Sequence, residues 1–164
     1  FGVVALASGR EVRQAGAPQE QFHDVGTLAA IAQLQSPQPG LVTLNAHGTL
    51  RFRVRQSHQL PHGLWVADVE QLDADTPAPV PADLRRFATA LAHVLQTLHD
   101  RQPETERARP ATPAQLDDCG WVANRGCELL PVPLPLKQQL MALDNPLVRL
   151  ELVGDVLDRT GIAP

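Results

Sequence analysis

The spacing of apolar residues changes once along this chain of 164 residues, and the change predicts the fold class. Up to about Asp73, apolar and polar residues alternate with the two-residue period of β-strands, and turn-forming residues at 36–40 and 60–63 mark two hairpins. After the proline-rich segment 76–81, the apolar period becomes helical. The pattern therefore predicts an α+β protein, with a strand-rich lobe at 1–73 and a helical lobe at 74–164.

The strand at residues 50–55 has two chemically different faces. Its apolar face, which we expect to be buried, consists of Leu50, Phe52 and Val54. Its other face carries, at about 7 Å intervals, Arg51, Arg53 and Arg55. One interpretation is a solvated face whose arginines pair with acidic residues of the following strand, such as Asp68 or Glu70. The other is a docking stripe for acidic or carboxylate-bearing partners, which makes the three arginines candidate partner-binding residues.

Two other features of the strand-rich lobe give specific expectations. Val42, Leu44 and Ala46 share one face of their strand, and residues 45–48 interrupt the alternation in a way that favours a β-bulge. Trp65 shares a face with Ala67 and Val69, so we expect it to lie in the core.

Four segments of the helical lobe have a helical pattern or helix-capping residues. The first helix ends near Asp100, and its apolar stripe consists of Leu84, Phe87, Ala88, Leu91, Leu95 and Leu98. A flexible loop is expected at about 101–115. A second helix is predicted over 116–130 with Asp117 and Asp118 in its first turn, and a third over 135–143. Asn145 before Pro146 predicts the start of the last helix, whose buried stripe consists of Leu147, Leu150, Val153 and Leu157.

Composition and charge exclude several broad classes of protein. The net charge of −4 argues against general nucleic-acid binding, because phosphates would repel the molecule as a whole. No apolar run approaches the roughly 20 residues of a membrane span, so no membrane partner is expected. Two cysteines are too few for a disulfide framework and favour a reducing compartment, which predicts a cytoplasmic protein.

Known catalytic motifs are missing from the sequence. The single lysine, Lys137, follows Leu136 rather than a glycine, so the chain has no phosphate-binding loop of the GxxxxGK[ST] form. No serine lies in a GxSxG motif, and the histidines lack the spacing of a metal site. We therefore expect no catalytic residues, no cofactor and no metal. A cysteine-dependent hydrolase built on Cys119 or Cys127 remains the enzymatic alternative, although a buried structural cysteine is the commoner case.

Three blocks of sequence, in this order, resemble a known family. They are Val25-Gly26-Thr27-Leu28-Ala29-Ala30-Ile31, Gly48-Thr49-Leu50-Arg51-Phe52-Arg53-Val54 and Leu64-Trp65-Val66-Ala67-Asp68-Val69-Glu70. They are similar to the VGT-apolar, G-x-x-RF-x-V and apolar-A-x-VE blocks of the Lon protease N-terminal domain. Residues 130–131, 136–143 and 146–150 look like the helical end of the same domain.

The resemblance implies a PUA-like β pseudo-barrel of about six antiparallel strands followed by a C-terminal helical bundle. The first strand and helix of the family would precede Phe1. It also implies a non-catalytic protein that binds unfolded or specific polypeptides, without the ATPase and Ser-Lys protease domains of Lon. Such a protein could act in substrate recognition or as an adaptor for a proteolytic or chaperone complex. Nucleic-acid binding is a further alternative, because PUA-like barrels elsewhere contact RNA.

Overall fold

The computed structural model describes residues 1–9, 16, 19–103 and 110–160. The chain divides into two compact units, Phe1–Ala74 and Asp75–Pro164. The first consists of strands and the second of helices, in agreement with the predicted α+β class.

The described residues of the first unit form six antiparallel strands. They are β1 (Gly2–Val3), β2 (Leu6–Ser8), β3 (Gln21–Phe22), β4 (Val25–Gln38), β5 (Leu41–Gln59) and β6 (Trp65–Gln71). Four of them form one sheet in the order β1-β4-β5-β6, while β2 and β3 form a second sheet. The strand number and direction are therefore as predicted, and the described residues distribute the strands over two sheets.

The core of the first unit is built around the ring of Phe52. Phe52 is 3% exposed, so the expected inward face of β5 is confirmed at its centre, with Leu50 and Val54 half-buried beside it. A side chain at Gly26 would place its Cβ 2.5 Å from the carbonyl oxygen of Val3 and 2.6 Å from the Phe52 ring. Only glycine fits this close approach of strands and ring, which explains the glycine of the VGT block.

The third block is less buried than the sequence predicts. Trp65 is half-buried and packs edge-on against Phe22, with ring centroids 5.1 Å apart. Ala67 and Val69, on the same face of β6, are exposed, and β6 is the last strand of its sheet among the described residues. The expectation that Trp65 lies in the core is therefore met only in part, since its side chain is half-buried.

The long hairpin of β4 and β5 has irregular register at three places. The pairs Thr27–Arg51 and Ala29–Gly48 leave an extra residue in β5, next to the predicted bulge at 45–48. At this point the Thr49 hydroxyl donates to the carbonyl oxygen of Leu28 at 3.0 Å. A second shift, between Ile31 and Gln33, leaves an extra residue in β4.

In residues 75–103 and 110–160 the second unit has five α-helices. After a 3₁₀ turn at Ala82–Leu84 they are α1 (Arg85–Arg101), α2 (Pro113–Leu116), α3 (Cys119–Leu129), α4 (Leu134–Ala142) and α5 (Pro146–Thr160). The start of the last helix is confirmed, since Oδ1 of Asn145 accepts from the backbone N–H of Leu147 at 2.9 Å. Residues 104–109 of the expected loop lie outside the described residues, and α2 occupies part of the range expected to be loop.

The helix predicted over 116–130 is α3, which begins three residues later at Cys119, and the separate short helix α2 precedes it. Thr112 and Gln115 form a reciprocal capping box that begins α2, which ends after one turn. Asp118 then caps α3, because its Oδ1 accepts from the N–H of Trp121 at 2.7 Å. Asp117 and Asp118 therefore do not lie in the first turn of one helix. They occupy the junction between α2 and α3.

The apolar stripes of α1 and α5 meet α3 in the core of the second unit. One buried cluster contains Val80, Ala88, Leu91, Cys119, Val122, Ala123 and Leu150, and a second contains Cys127, Leu130, Leu140 and Val153. The stripe predicted for α1 is buried at Phe87, Ala88 and Leu91 but exposed at Leu98, which is 41% exposed. The proline-rich segment belongs to this core: Val80 is 2% exposed, and the N–H of Cys119 donates to Ala78 at 2.8 Å.

Candidate functional site

The outer part of the β4–β5 hairpin extends past both of its neighbouring strands. β1 pairs with β4 at Thr27 and Leu28, and β6 pairs with β5 between Phe52 and Gln59. Within the described residues no third strand pairs with residues 31–46, which we call the arm. Every residue from 31 to 45 is exposed, so the arm is a two-stranded ribbon whose edges and faces are open.

The two faces of the arm differ in polarity. Cross-strand partners share a face, and Leu34 lies opposite Leu44 while Ile31 lies opposite Ala46. With Val42, these residues form the apolar face; Ile31 is 54%, Leu34 64%, Val42 60% and Leu44 51% exposed. The opposite, polar face contains Gln33, Gln35, Thr43 and Asn45.

The register shift in β4 keeps the apolar face continuous. Ile31 and Leu34 are three residues apart, so simple alternation would place them on opposite faces. Their partners Ala46 and Leu44 are two apart, and the extra residue of β4 between Ile31 and Gln33 absorbs the difference. Both apolar side chains of β4 therefore lie on the same side of the arm.

A tight turn closes the arm at its tip. Gln38 pairs with Leu41, which leaves Pro39 and Gly40 as the connecting residues. Gly40 has φ +80°, a conformation that glycine adopts without strain, and proline favours the position before it. This confirms the hairpin predicted at residues 36–40.

The sequence carries a signal for the arm that apolar periodicity does not reveal. From Val25 to Leu50 the chain has no Asp, Glu, Lys or Arg, whereas 20% of the whole chain is charged. At that average, 26 residues would carry about five charged side chains. An exposed ribbon without charges is unusual, because natural edge strands commonly carry them to prevent association.

The three predicted docking arginines lie at the base of the hairpin in three different environments. Arg55 forms an ion pair with Glu70, one of the two acidic neighbours expected from the sequence. Arg53 lies between Val25 on β4 and Glu70 on β6 and is half-buried. Arg51 is half-buried opposite Thr27. The structure thus assigns Arg55 an intramolecular partner, and partner binding by these residues stays a prediction.

Both cysteines are buried in the second unit. Cys119 is 0% exposed, and its thiol donates to the carbonyl oxygen of Pro79 at 3.3 Å. Burial raises the pKa of the Cys119 thiol, and the negative charges of Asp118, Asp117 and Glu151 raise it further. Burial also raises the pKa of Cys127. A thiol nucleophile needs access and a lowered pKa, so this environment is that of structural cysteines.

A second apolar feature lies in the helical unit. A groove between α1, α3 and α5 encloses about 110 Å³, and its walls include Phe87, Leu91, Val94, Val122, Gly126 and Leu157. All of its lining residues are apolar or glycine, so its contacts with a ligand would be mainly apolar. Among the described residues, no group of three or more His, Cys, Asp or Glu side chains is placed to hold a metal ion.

Residues 1–159 match the family model of the ATP-dependent protease La (LON) substrate-binding domain. The chain belongs to this family. Two solved structures are similar to it. One, the Lon N-terminal domain protein from Xanthomonas campestris, has 23% identity over 93% of this chain and 88% of that chain, with a TM-score of 0.64. The other, the N-terminal domain of Mycobacterium avium complex Lon protease, has 17% identity over 85% and 72%, with a TM-score of 0.51.

At these identities the two structures establish a shared fold, and no curated protein sequence matches the chain. The family is that of the non-catalytic, substrate-binding part of Lon. In the described parts of this Lon-type domain, every helix is too short or too polar to cross a lipid bilayer.

Proposed function

We propose that this Lon-type domain recognises unfolded or extended polypeptides and that the apolar face of the arm is its binding surface. The observation that carries the proposal is the exposure of Leu34 and Leu44, which lie side by side on a ribbon without charged residues. Family membership supports polypeptides as the substrate class.

The open edges of the arm suit an extended chain. A polypeptide can add to an exposed strand edge by backbone hydrogen bonds while its alternate side chains pack on the apolar face. Backbone pairing is independent of sequence, and apolar contact requires only that the substrate expose apolar residues. Both properties are those of a surface that accepts unfolded chains of many sequences.

Arg53 is the remaining candidate among the three arginines for a direct contact with substrate. The pairs Ala29–Gly48 and Thr27–Arg51 place Arg51 and Arg53 on the same side of the hairpin as the apolar face, at its base. A carboxylate next to an apolar segment of substrate could therefore meet the Arg53 guanidinium. Arg55 is less available because of its ion pair with Glu70.

We also propose that the protein lies in the reducing cytoplasm. Its role there would be that of an adaptor for an ATP-dependent protease or chaperone. Two buried free thiols are compatible with the location, and family membership supports the role.

The test is a pair of double variants that place identical charges on opposite faces of the arm. Leu34→Glu with Leu44→Lys removes the apolar face, while the new Glu and Lys lie directly opposite each other and preserve the strand pairing. Gln35→Glu with Thr43→Lys makes the same change on the polar face, because Gln35 and Thr43 are also partners. Binding is measured by fluorescence anisotropy with labelled, reduced and alkylated α-lactalbumin.

We expect the apolar-face variant to bind at least about tenfold more weakly, since covering two exposed leucine side chains with substrate contributes about 1.5–3 kcal/mol each. The polar-face variant should bind within about twofold of the unchanged protein. No saturable binding by the unchanged protein, or equal losses in both variants, would disprove the proposal.

A further inference from the structure

The first charged side chains below the arm, on the side of its apolar face, are arginines. β4 has no charged residue, and β5 has none before Arg51. The pairs Thr27–Arg51 and Val25–Arg53 continue the side of the apolar face toward the base of the hairpin. An extended chain that lies on the apolar face and continues toward the base therefore meets Arg51 before it meets any carboxylate of the four-stranded sheet.

The carboxylates within the described strands of that sheet are Asp68 and Glu70, both in β6. Glu70 lies opposite Arg53 but forms its ion pair with Arg55. Asp68 lies opposite Gln56, farther from the arm. Three arginines of β5 thus face two carboxylates of β6, and the arginines lie on the side of the arm.

The guanidinium of Arg53 has no ion-pair partner among the described residues. The side chain is half-buried, and a charge partly removed from water interacts more strongly with an opposite charge than an exposed one does. Charges more than about 8 Å apart are largely screened at physiological ionic strength. The arginines near this point, rather than the net charge of −4, therefore decide which charge a substrate can place here.

The register gives the distance from the apolar face to Arg53. Ile31, in the apolar pair nearest the base, is six residues along β4 from Val25, the partner of Arg53. At about 3.3 Å per residue this separation is about 20 Å. Leu44 lies two residues from Ala46 toward the tip. Both separations are even, so an extended substrate can direct two apolar side chains and a third, charged side chain to the same side.

We infer that the domain prefers polypeptides in which a carboxylate lies about six residues from a pair of apolar side chains, and that Arg53 binds this carboxylate. The inference rests on the proposed function, since the arm contacts the apolar pair. The planar guanidinium can donate to both carboxylate oxygens. A basic residue at the same place would be repelled by the arginines. An Asp or Glu side chain and a free C-terminus supply the same chemical group.

Labelled peptides test the preference by fluorescence anisotropy with the unchanged protein. Each has Leu at two alternate positions in an otherwise polar, uncharged sequence with an amidated C-terminus. The first carries Glu six residues from the Leu pair on each side, so that either chain direction presents it to Arg53. The second and third carry Gln and Lys at those positions, and the fourth carries Glu three residues from the pair. A fifth, based on the Gln peptide, ends in a free carboxylate at the sixth residue.

We expect the Glu peptide to bind about three- to fivefold more tightly than the Gln peptide, as for one partly exposed ion pair. The Lys peptide should bind more weakly than the Gln peptide, and the peptide with Glu at three residues should bind within about twofold of it. Affinity of the fifth peptide equal to that of the Glu peptide would add the C-terminus as a source of the carboxylate, and affinity equal to that of the Gln peptide would restrict the source to side chains. Equal binding of the Glu and Gln peptides, or of the two Glu spacings, would overturn the inference.

Arg53→Gln tests whether this residue makes the contact. The preference for Glu over Gln should disappear in this variant and be partly retained in Arg53→Lys, which keeps the charge but not the planar fork. Arg125→Gln changes the net charge equally on the helical unit, where Arg125 pairs with Glu128, and should keep the full preference. An unchanged preference in Arg53→Gln would contradict the assignment. The comparison of peptides with the unchanged protein does not depend on how the variants fold.

Failure of the inference and failure of the proposed function give different results. If α-lactalbumin binds saturably but the Glu peptide binds no better than the Gln peptide, the carboxylate preference is wrong and the proposed function stands. If neither α-lactalbumin nor any peptide binds saturably, the proposed function is wrong, and the inference that rests on it is wrong as well.

Discussion

Arg149 lies in the interior of the helical unit, and all five N–H groups of its guanidinium donate hydrogen bonds. The side chain is 1% exposed, and its guanidinium pairs with both oxygens of Asp75 at 2.5 and 3.1 Å. It also donates to Asn124 at 3.0 Å, to the carbonyl oxygen of Leu140 at 3.2 Å and to that of Leu143. One residue thus joins the start of the unit to α3, to the end of α4 and to α5.

We expect Arg149→Ala to lower the free energy of unfolding by about 3–5 kcal/mol, because it removes a buried guanidinium with five hydrogen bonds and takes away the cation that pairs with the Asp75 carboxylate. The matched change is Arg125→Ala, which removes an exposed ion pair with Glu128 and should cost less than about 0.5 kcal/mol. Urea unfolding followed by circular dichroism measures both. Similar losses would show that the network contributes little to stability.

At the junction of α2 and α3, hydrogen bonds to another segment of the chain help to end one helix before the next begins. The carbonyl oxygen of Asp117 accepts from the N–H of Val80, and the N–H of Cys119 donates to Ala78. These bonds to the proline-rich segment take up backbone groups that a continuous helix would use itself. Two adjacent aspartates consequently have different roles.

Asp118→Ala should destabilise the protein by about 1–2 kcal/mol, because Asp118 caps α3 and also accepts from the N–H of Ala78 at 3.3 Å. Asp117→Ala removes only an ion pair with Arg85 in which both side chains are at least half exposed, so a loss below about 0.5 kcal/mol is expected. Thermal unfolding of the two variants compares them directly. A larger loss from Asp117→Ala would contradict these assignments.

The molecule as a whole has a net charge of −4, whereas its long hairpin arm has no charged residues. Apolar capture, docking on arginines and nucleic-acid binding each predict a different response to salt. Contacts without charge are insensitive to ionic strength, whereas pairs of exposed charges weaken as the Debye length falls. Binding to phosphates weakens most steeply, through release of counterions.

We expect the affinity for reduced, alkylated α-lactalbumin to change by less than about twofold between about 50 and 200 mM salt. Arg53→Gln should leave this salt response nearly unchanged if the arm supplies most of the binding energy. Anisotropy titrations at several salt concentrations provide the measurement. A steep loss of affinity that Arg53→Gln abolishes would instead assign the main contact to the arginine.

The spacing of apolar residues predicted the strands and helices correctly where one face of the element is buried. Phe52 in β5 and Leu150 and Val153 in α5 are buried as their periods indicate, because periodicity reports which residues share a face. The residue chemistry of turns and caps was equally informative. Pro39 with Gly40 closes the arm and Asn145 caps α5, since these preferences depend on neighbours in sequence.

The tertiary structure was needed wherever burial depends on a distant partner. Periodicity grouped Val42, Leu44 and Ala46 correctly, yet could not show that no described element covers them. It could not foresee that Arg149 would meet Asp75, 74 residues away, or that Ala67 and Val69 would lie on an edge strand. Local spacing sets the faces of each element, and the arrangement of elements decides which faces are removed from water.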